Sequence, residues 1–161
     1  MVIVLMGPAG AGKSTIGRAL AADLGWRFVD GDDHHPPANV EKMRRGQPLT
    51  DGDRESWLRT LHAVIARAID RRERTVIACS ALKDSYRRTL AGGLKPVRFV
   101  YLKAPEAVLR ERLASRAGHF AGPALLATQL ATLEEPCEAI ALDATAPPAA
   151  IIAAIRRELG L

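Results

Sequence analysis

Aromatic residues make up only 4% of this chain, so aliphatic and alanine side chains must fill its core. The same scarcity argues against nucleic acid as the main partner, because bound single strands stack their bases on aromatic rings. A formal charge of +5 and an isoelectric point near 9.7 point the other way. The basic residues are dispersed rather than gathered into one tract, however, and an anionic small ligand uses surplus arginine equally well. Two cysteines, Cys79 and Cys137, have neither metal-ligand nor disulfide-framework spacing, which fits a reduced, cytoplasmic setting. No apolar run approaches the roughly 18 residues of a membrane span. The first such run is short and leads straight into a glycine-rich turn, unlike a signal peptide. Repeats, low-complexity tracts and linkers are missing too. What remains is a chain of 161 residues, 48% apolar and 25% charged, enough for a single globular domain with a real core.

The apolar run Val2-Ile-Val-Leu-Met6 reads as a buried strand, and Lys13 to Leu24 reads as a helix. Between them stands Gly7-Pro-Ala-Gly-Ala-Gly-Lys-Ser14, followed by Thr15. This fits the phosphate-binding loop (P-loop) pattern in full and in the right structural context. Glycines let the backbone turn its N–H groups around a phosphate, and the helix N-terminus adds to that field. Lys13 reaches the β- and γ-phosphates, and the Ser14 hydroxyl is a ligand for Mg²⁺. The expectation is a nucleoside triphosphate site.

Further strands are expected at Arg27–Asp30, Thr75–Cys79, Val97–Leu102 and Ala139–Leu142, alternating with helical patterns. That alternation predicts an α/β fold, a parallel five-stranded sheet flanked by helices. Trp57, Leu58, Leu61, Val64, Ile65, Ala68 and Ile69 recur at helical spacing, with Asp51 or Asp53 as the expected cap. Trp57 reads as core rather than ligand. Pro105 opens a helix carrying Val108, Leu109 and Leu113, and a last helix follows Pro147-Pro148. Arg116 to Pro123 breaks the helical pattern with two glycines and a proline, as a lid between helices does.

The third strand ends in Cys79-Ser80, without the aspartate that often holds the metal in P-loop enzymes. The second strand ends in Asp30-Gly-Asp-Asp33 instead. Ligands gather at the carboxyl ends of strands in open parallel sheets. Asp30 and Asp32 are thus placed to face the γ-phosphate. One carboxylate would hold hydrated Mg²⁺ and the other would orient or deprotonate an acceptor hydroxyl. Asp33 reads equally as a cap. In His34-His-Pro-Pro37 no partner ligand has zinc spacing, so one histidine is assigned to a hydroxylated substrate. Lys42, Arg44, Arg45 and Arg54 are either solvated charges or ligands for an anionic acceptor.

These segments, with Asn39-Val-Glu-Lys-Met43, Pro48-Leu-Thr-Asp51, Asp53-Arg54, Trp57-Leu58, Cys79-Ser-Ala-Leu-Lys83, Tyr86-Arg87, Val100-Tyr-Leu102, Gly118-His-Phe120, Leu125-Leu126 and Thr132-Leu-Glu-Glu-Pro136, resemble the gluconokinases of the small P-loop type. The match runs over nearly the whole chain, and the His-Pro, Cys-Ser-Ala-Leu-Lys and Gly-His-Phe runs are its most specific parts. The resemblance implies a shikimate-kinase-like fold of the nucleoside-monophosphate-kinase group. It implies one kinase domain, 1–161, with a substrate-binding helical insertion about 36–72 and a lid about 114–135. It implies ATP, Mg²⁺, phosphorylation of the 6-hydroxyl of D-gluconate, and a homodimer.

The family pattern puts Gly7, Gly10, Ala11, Gly12, Lys13, Ser14 and Thr15 around the phosphates. Ser14 and Asp30 then serve the metal, and Asp32 takes the acceptor hydroxyl. His35, Arg54, Lys83, Tyr86, Arg87 and His119 go to the substrate, with Arg54 on its carboxylate. Arg112 resembles the arginine that stacks on adenine, and Arg116 is the lid arginine. Departures from the pattern lie at His34, Ala121-Gly122, Thr128 before Gln129, and Cys137. A different small-molecule kinase on this fold, a shikimate kinase or an antibiotic phosphotransferase, accounts for the P-loop but not for the three specific runs together. A nucleotide-dependent regulatory or RNA-binding protein accounts for the basic charge, and predicts RNA affinity that falls steeply with salt.

Overall fold

Strand β1 (Val2–Met6) is buried along its whole length, and its alternate residues feed two separate cores. Val2, Val4 and Met6 join Trp57, Leu61, Ile65 and Ile77. Ile3 and Leu5 join Ile16, Leu20, Leu102 and Leu109. A strand apolar at every position must be covered on both faces, because successive side chains point oppositely.

The structure, a computed structural model, describes residues 1–115 and 123–161. Four strands join β1: β2 (Arg27–Asp30), β3 (Thr75–Ala78), β4 (Val97–Lys103) and β5 (Ile140–Asp143). Their order is β2-β3-β1-β4-β5, and every pairing is parallel. All five lie where the apolar runs predict, with ends shifted by one residue at Ala78, Lys103 and β5. The chain leaves β1 for the β2 edge, returns through β3, then crosses to β4. The crevice at the carboxyl end of β1 is therefore the expected ligand position.

On one face, α3 (Asp51–Asp70) buries Trp57, Leu58, Leu61, Ile65 and Ala68, beside α4 (Asp84–Ala91) with Tyr86 and Leu90. On the other, α1 (Lys13–Leu24), α5 (Glu106–Ala114) and α7 (Pro148–Leu159) bury Ile16, Leu20, Leu109, Leu113, Ile151 and Ile155. Truncating a fully buried leucine such as Leu61 to alanine costs about 2–5 kcal/mol. Two further helices, α2 (Pro37–Arg44) and α6 (Pro123–Thr132), flank the crevice. Segment 36–72 thus holds α2 and α3, and α6 falls within 114–135.

The start of α3 differs from the expectation. Thr50, not an aspartate, is its N-cap. The Thr50 hydroxyl accepts the Asp53 N–H at 3.1 Å, and the Asp53 carboxylate accepts the Thr50 N–H at 2.8 Å. Asp53 closes a reciprocal capping box from the third helical position. Asp51 is left with its carboxylate available for something else.

Candidate active site

The P-loop is held open from beneath. The Gly7 N–H donates to the Ser80 carbonyl at 3.2 Å. Gly7 has φ 141°, and a Cβ there would stand 2.8 Å from the Leu102 carbonyl oxygen, so only glycine fits between β1 and β4. Gly12, in the left-handed region at φ 90°, is the N-cap of α1 and has no side chain to cap it. The first-turn N–H groups of α1 thus face the crevice with the positive end of the helix dipole. Lys13 Nζ donates to the Pro8 carbonyl at 2.9 Å. Gly10, Gly12, Lys13 and Ser14 line a cleft of about 400 Å³. Gly7, Ala11 and Thr15 support the loop from outside the lining.

The carboxylates gather at the end of β2. Asp30 is the N-cap of a short 3-10 turn, Gly31–His34, and its Oδ1 accepts the Asp32 N–H at 3.3 Å. Its Oδ2 accepts the Ser14 hydroxyl at 2.8 Å, with Arg18 Nη2 3.8 Å away. Asp32 and Asp33 are exposed and line the same cleft.

His35 is fixed on three sides. Its ring stacks on Trp57 with centroids 4.2 Å apart. Its Nδ1 lies 3.4 Å from Asn39 Nδ2, an amide that also donates to the Asp53 carbonyl at 2.7 Å. An amide nitrogen only donates, so Nδ1 is the acceptor and Nε2 carries the proton. Nε2 is 4.0 Å from Asp32 Oδ1. Burial, and then the Arg54 charge, pull the His35 pKa down to about 4, so the ring is neutral at neutral pH. Trp57 is core, as its spacing predicts, yet it also lines the cleft while its Nε1 donates to the Gly31 carbonyl at 2.8 Å.

The basic residues divide into two groups. Arg54 lines the cleft, and its hydrogen bonds run through Nη1, to the Leu49 carbonyl at 2.6 Å and the Tyr86 hydroxyl at 3.4 Å. Lys42 is spent on Asp53, 2.8 Å from both carboxylate oxygens, and this bond and the Thr50 N–H bring Asp53 down to about 2. Asp51 receives the Tyr86 hydroxyl and Lys83 Nζ, the latter at 2.7 and 3.0 Å. Its pKa is lowered, first by Lys83 and then by Tyr86. Burial, followed by the bond to Asp51, raises Tyr86. Arg87 is buried, its Nη1 donating to the Ala81 and Leu82 carbonyls at 3.0 and 3.1 Å. Lys83, Tyr86 and Arg87 are not among the residues that line the cleft.

Arg112 Nη2 donates to the Ala144 carbonyl at 2.8 Å and Nη1 reaches the Gly10 carbonyl at 3.4 Å. Arg116 and His119 lie outside the described residues. Local pattern gave no sign of Asp51 or Gln129 as site residues, since each acts on partners far away in sequence, nor of Asn39, which links nearby His35 to Asp53.

Glycine-rich loop, terminal helix dipole, paired carboxylates and an arginine share one cleft, the furnishing of a phosphotransferase. A family model described as an AAA domain matches residues 2–136. The gluconokinase of Gluconobacter oxydans is 48% identical over 134 residues, 83% of this chain and 75% of that protein. The chain belongs to the gluconokinase family. Two solved structures agree with that membership. The gluconokinase of Sinorhizobium meliloti superposes with a TM-score of 0.82 at 43% identity, covering 98% of this chain and 94% of that one. A sugar kinase of Janibacter reaches 0.92 at 42%, covering 99% and 94%. The gluconokinase fold here is thus the parallel P-loop kinase sheet, with the cleft at the carboxyl ends of β1, β2 and β3. Among the described residues no helix is long and apolar enough to cross a membrane.

Proposed function

We propose that this chain transfers the γ-phosphate of ATP to the 6-hydroxyl of D-gluconate, giving 6-phosphogluconate and ADP. The observation that carries this reading is the meeting of P-loop, Asp30–Asp32 pair and Arg54 in one cleft, in a chain with gluconokinase relatives. Gluconate is a polyol with one carboxylate. Arg54 uses Nη1 on protein oxygens, and its Nε–H and Nη2–H, which share one edge, suit a bidentate bond to that carboxylate. Neutral His35 offers its Nε2–H to a substrate oxygen.

Phosphoryl transfer needs positioning and charge neutralisation. The P-loop N–H groups and Lys13 bind the phosphates. Asp32 accepts the proton of the attacking hydroxyl. Ser14 and Asp30 offer two hard oxygens 2.8 Å apart, which suits Mg²⁺ held by one carboxylate, a hydroxyl and phosphate oxygens. Mg²⁺ supplies neutralisation of the charge on the phosphates. The family resemblance supports Arg116 and His119 as further cleft residues, 114–135 as a lid, 36–72 as the acceptor-binding insertion, and a cytoplasmic homodimer without nucleic-acid or membrane partners. Lys83 and Tyr86 are read as positioning Asp51 and Arg54.

The test is ADP release by purified protein with Mg²⁺ and ATP, comparing D-gluconate, shikimate, glucose and no acceptor. Stimulation by gluconate alone supports the reading. Equal or better stimulation by shikimate overturns it.

A further inference from the structure

The elements on either side of residues 116–122 both grip the P-loop, at neighbouring residues. From α5, Arg112 reaches the Gly10 carbonyl at 3.4 Å. From α6, Gln129 Oε1 accepts the backbone N–H of Ala9 at 2.6 Å, across 120 residues of sequence. Gln129 is partly buried and lines the cleft together with Lys13. One turn earlier on α6, Leu126 is fully buried in the core that contains Leu109 and Leu113. A packed helix therefore aims the carboxamide at the loop.

We infer that Gln129 is a positioning residue for nucleotide binding, latching α6 to the P-loop through the Ala9 N–H. A loop rich in glycine has many backbone conformations, and cradling a phosphate requires one of them. An acceptor fixed on a helix removes part of that freedom before the nucleotide arrives. The bond is neutral at both ends, so it sets the loop without adding charge near the triphosphate. This inference deepens the nucleotide half of the proposed reaction and rests on that reading.

The test is Gln129→Met, which keeps length and removes the acceptor, alongside Gln129→Glu, which keeps an acceptor oxygen. Affinity for a non-hydrolysable ATP analogue is measured by calorimetry, and hydrogen exchange at the Ala9 amide is followed without nucleotide. The expected result for Gln129→Met is a loss of analogue affinity of about three- to tenfold, the yield of one neutral hydrogen bond. Its gluconate KM and melting temperature stay near wild type. The Ala9 amide exchanges faster in Gln129→Met and stays protected in Gln129→Glu. Analogue affinity within twofold of wild type overturns the inference. So does a parallel loss of analogue affinity, gluconate KM and melting temperature, which is the mark of damaged α6 packing. The calorimetry needs no acceptor, so a wild-type protein inert towards gluconate would remove the proposed acceptor and leave the latch to be judged on its own result.

Discussion

The Ser14 hydroxyl donates to Asp30 Oδ2 across 2.8 Å, tying the first turn of α1 to the end of β2. The bond brings together the two oxygens best suited to a hard cation beside the phosphates. Asp30→Asn is expected to raise the Mg²⁺ concentration needed for half-maximal activity and to lower kcat on the order of 10². A Mg²⁺ titration of ADP release checks it. An unchanged Mg²⁺ requirement removes Asp30 from the metal's surroundings.

Asp32 is exposed in the cleft with His35 Nε2 4.0 Å from its carboxylate. As the base for the acceptor hydroxyl it is expected to be worth about 10² or more in kcat. Asp32→Asn should show that loss while binding ATP normally. A rise in KM with kcat intact would make it a binding group only.

Arg54 and Arg87 are expected to separate binding from support. Arg54→Ala is expected to raise the gluconate KM about 10- to 100-fold, the worth of a charge-assisted bond, with ATP KM little changed. Arg54→Lys recovers little, since an ammonium lacks the planar fork. Arg87 instead holds the Ala81 and Leu82 carbonyls. Arg87→Ala should lower the melting temperature, and the folded fraction should keep its gluconate KM. Equal effects of both substitutions on gluconate KM would contradict the division.

Much of this arrangement is written locally. The β1 run, the P-loop and the helix Lys13–Leu24 are contiguous, and the unbroken apolar run of β1 already implies two covered faces. The acidic turn after β2 is readable because Asp30, Asp32 and Asp33 are neighbours. The cap of α3 is harder. Thr50, Asp51 and Asp53 are all good capping residues within four positions, and only the reciprocal bond between Thr50 and Asp53 decides among them. Long-range pairing is harder still. Lys83 and Tyr86 follow β3 as a cleft residue should, yet Asp51, more than 30 residues earlier, holds both. The bond from Ala9 to Gln129 has no local signature at all.

His35 gives a pH signature. Its pKa is about 4 in the folded chain against 6.5 for a free imidazole. Below pH 6.5 the unfolded chain takes up a proton that the folded site refuses. Stability is therefore unaffected by His35 above pH 6.5 and falls as pH drops towards 4. Chemical denaturation at a series of pH values should show this acid limb in wild type and a shallower one in His35→Gln. Parallel limbs would mean that His35 charges freely in the fold.

The proposed reaction places the phosphate on one particular oxygen, that of C6. The direct measurement is NMR of the product formed from ATP and D-gluconate labelled with ¹³C at position 6. The expected result is a C6 signal split by coupling to phosphorus, appearing in step with ADP. ADP released without that splitting, or phosphate on the oxygen of another carbon, would contradict it.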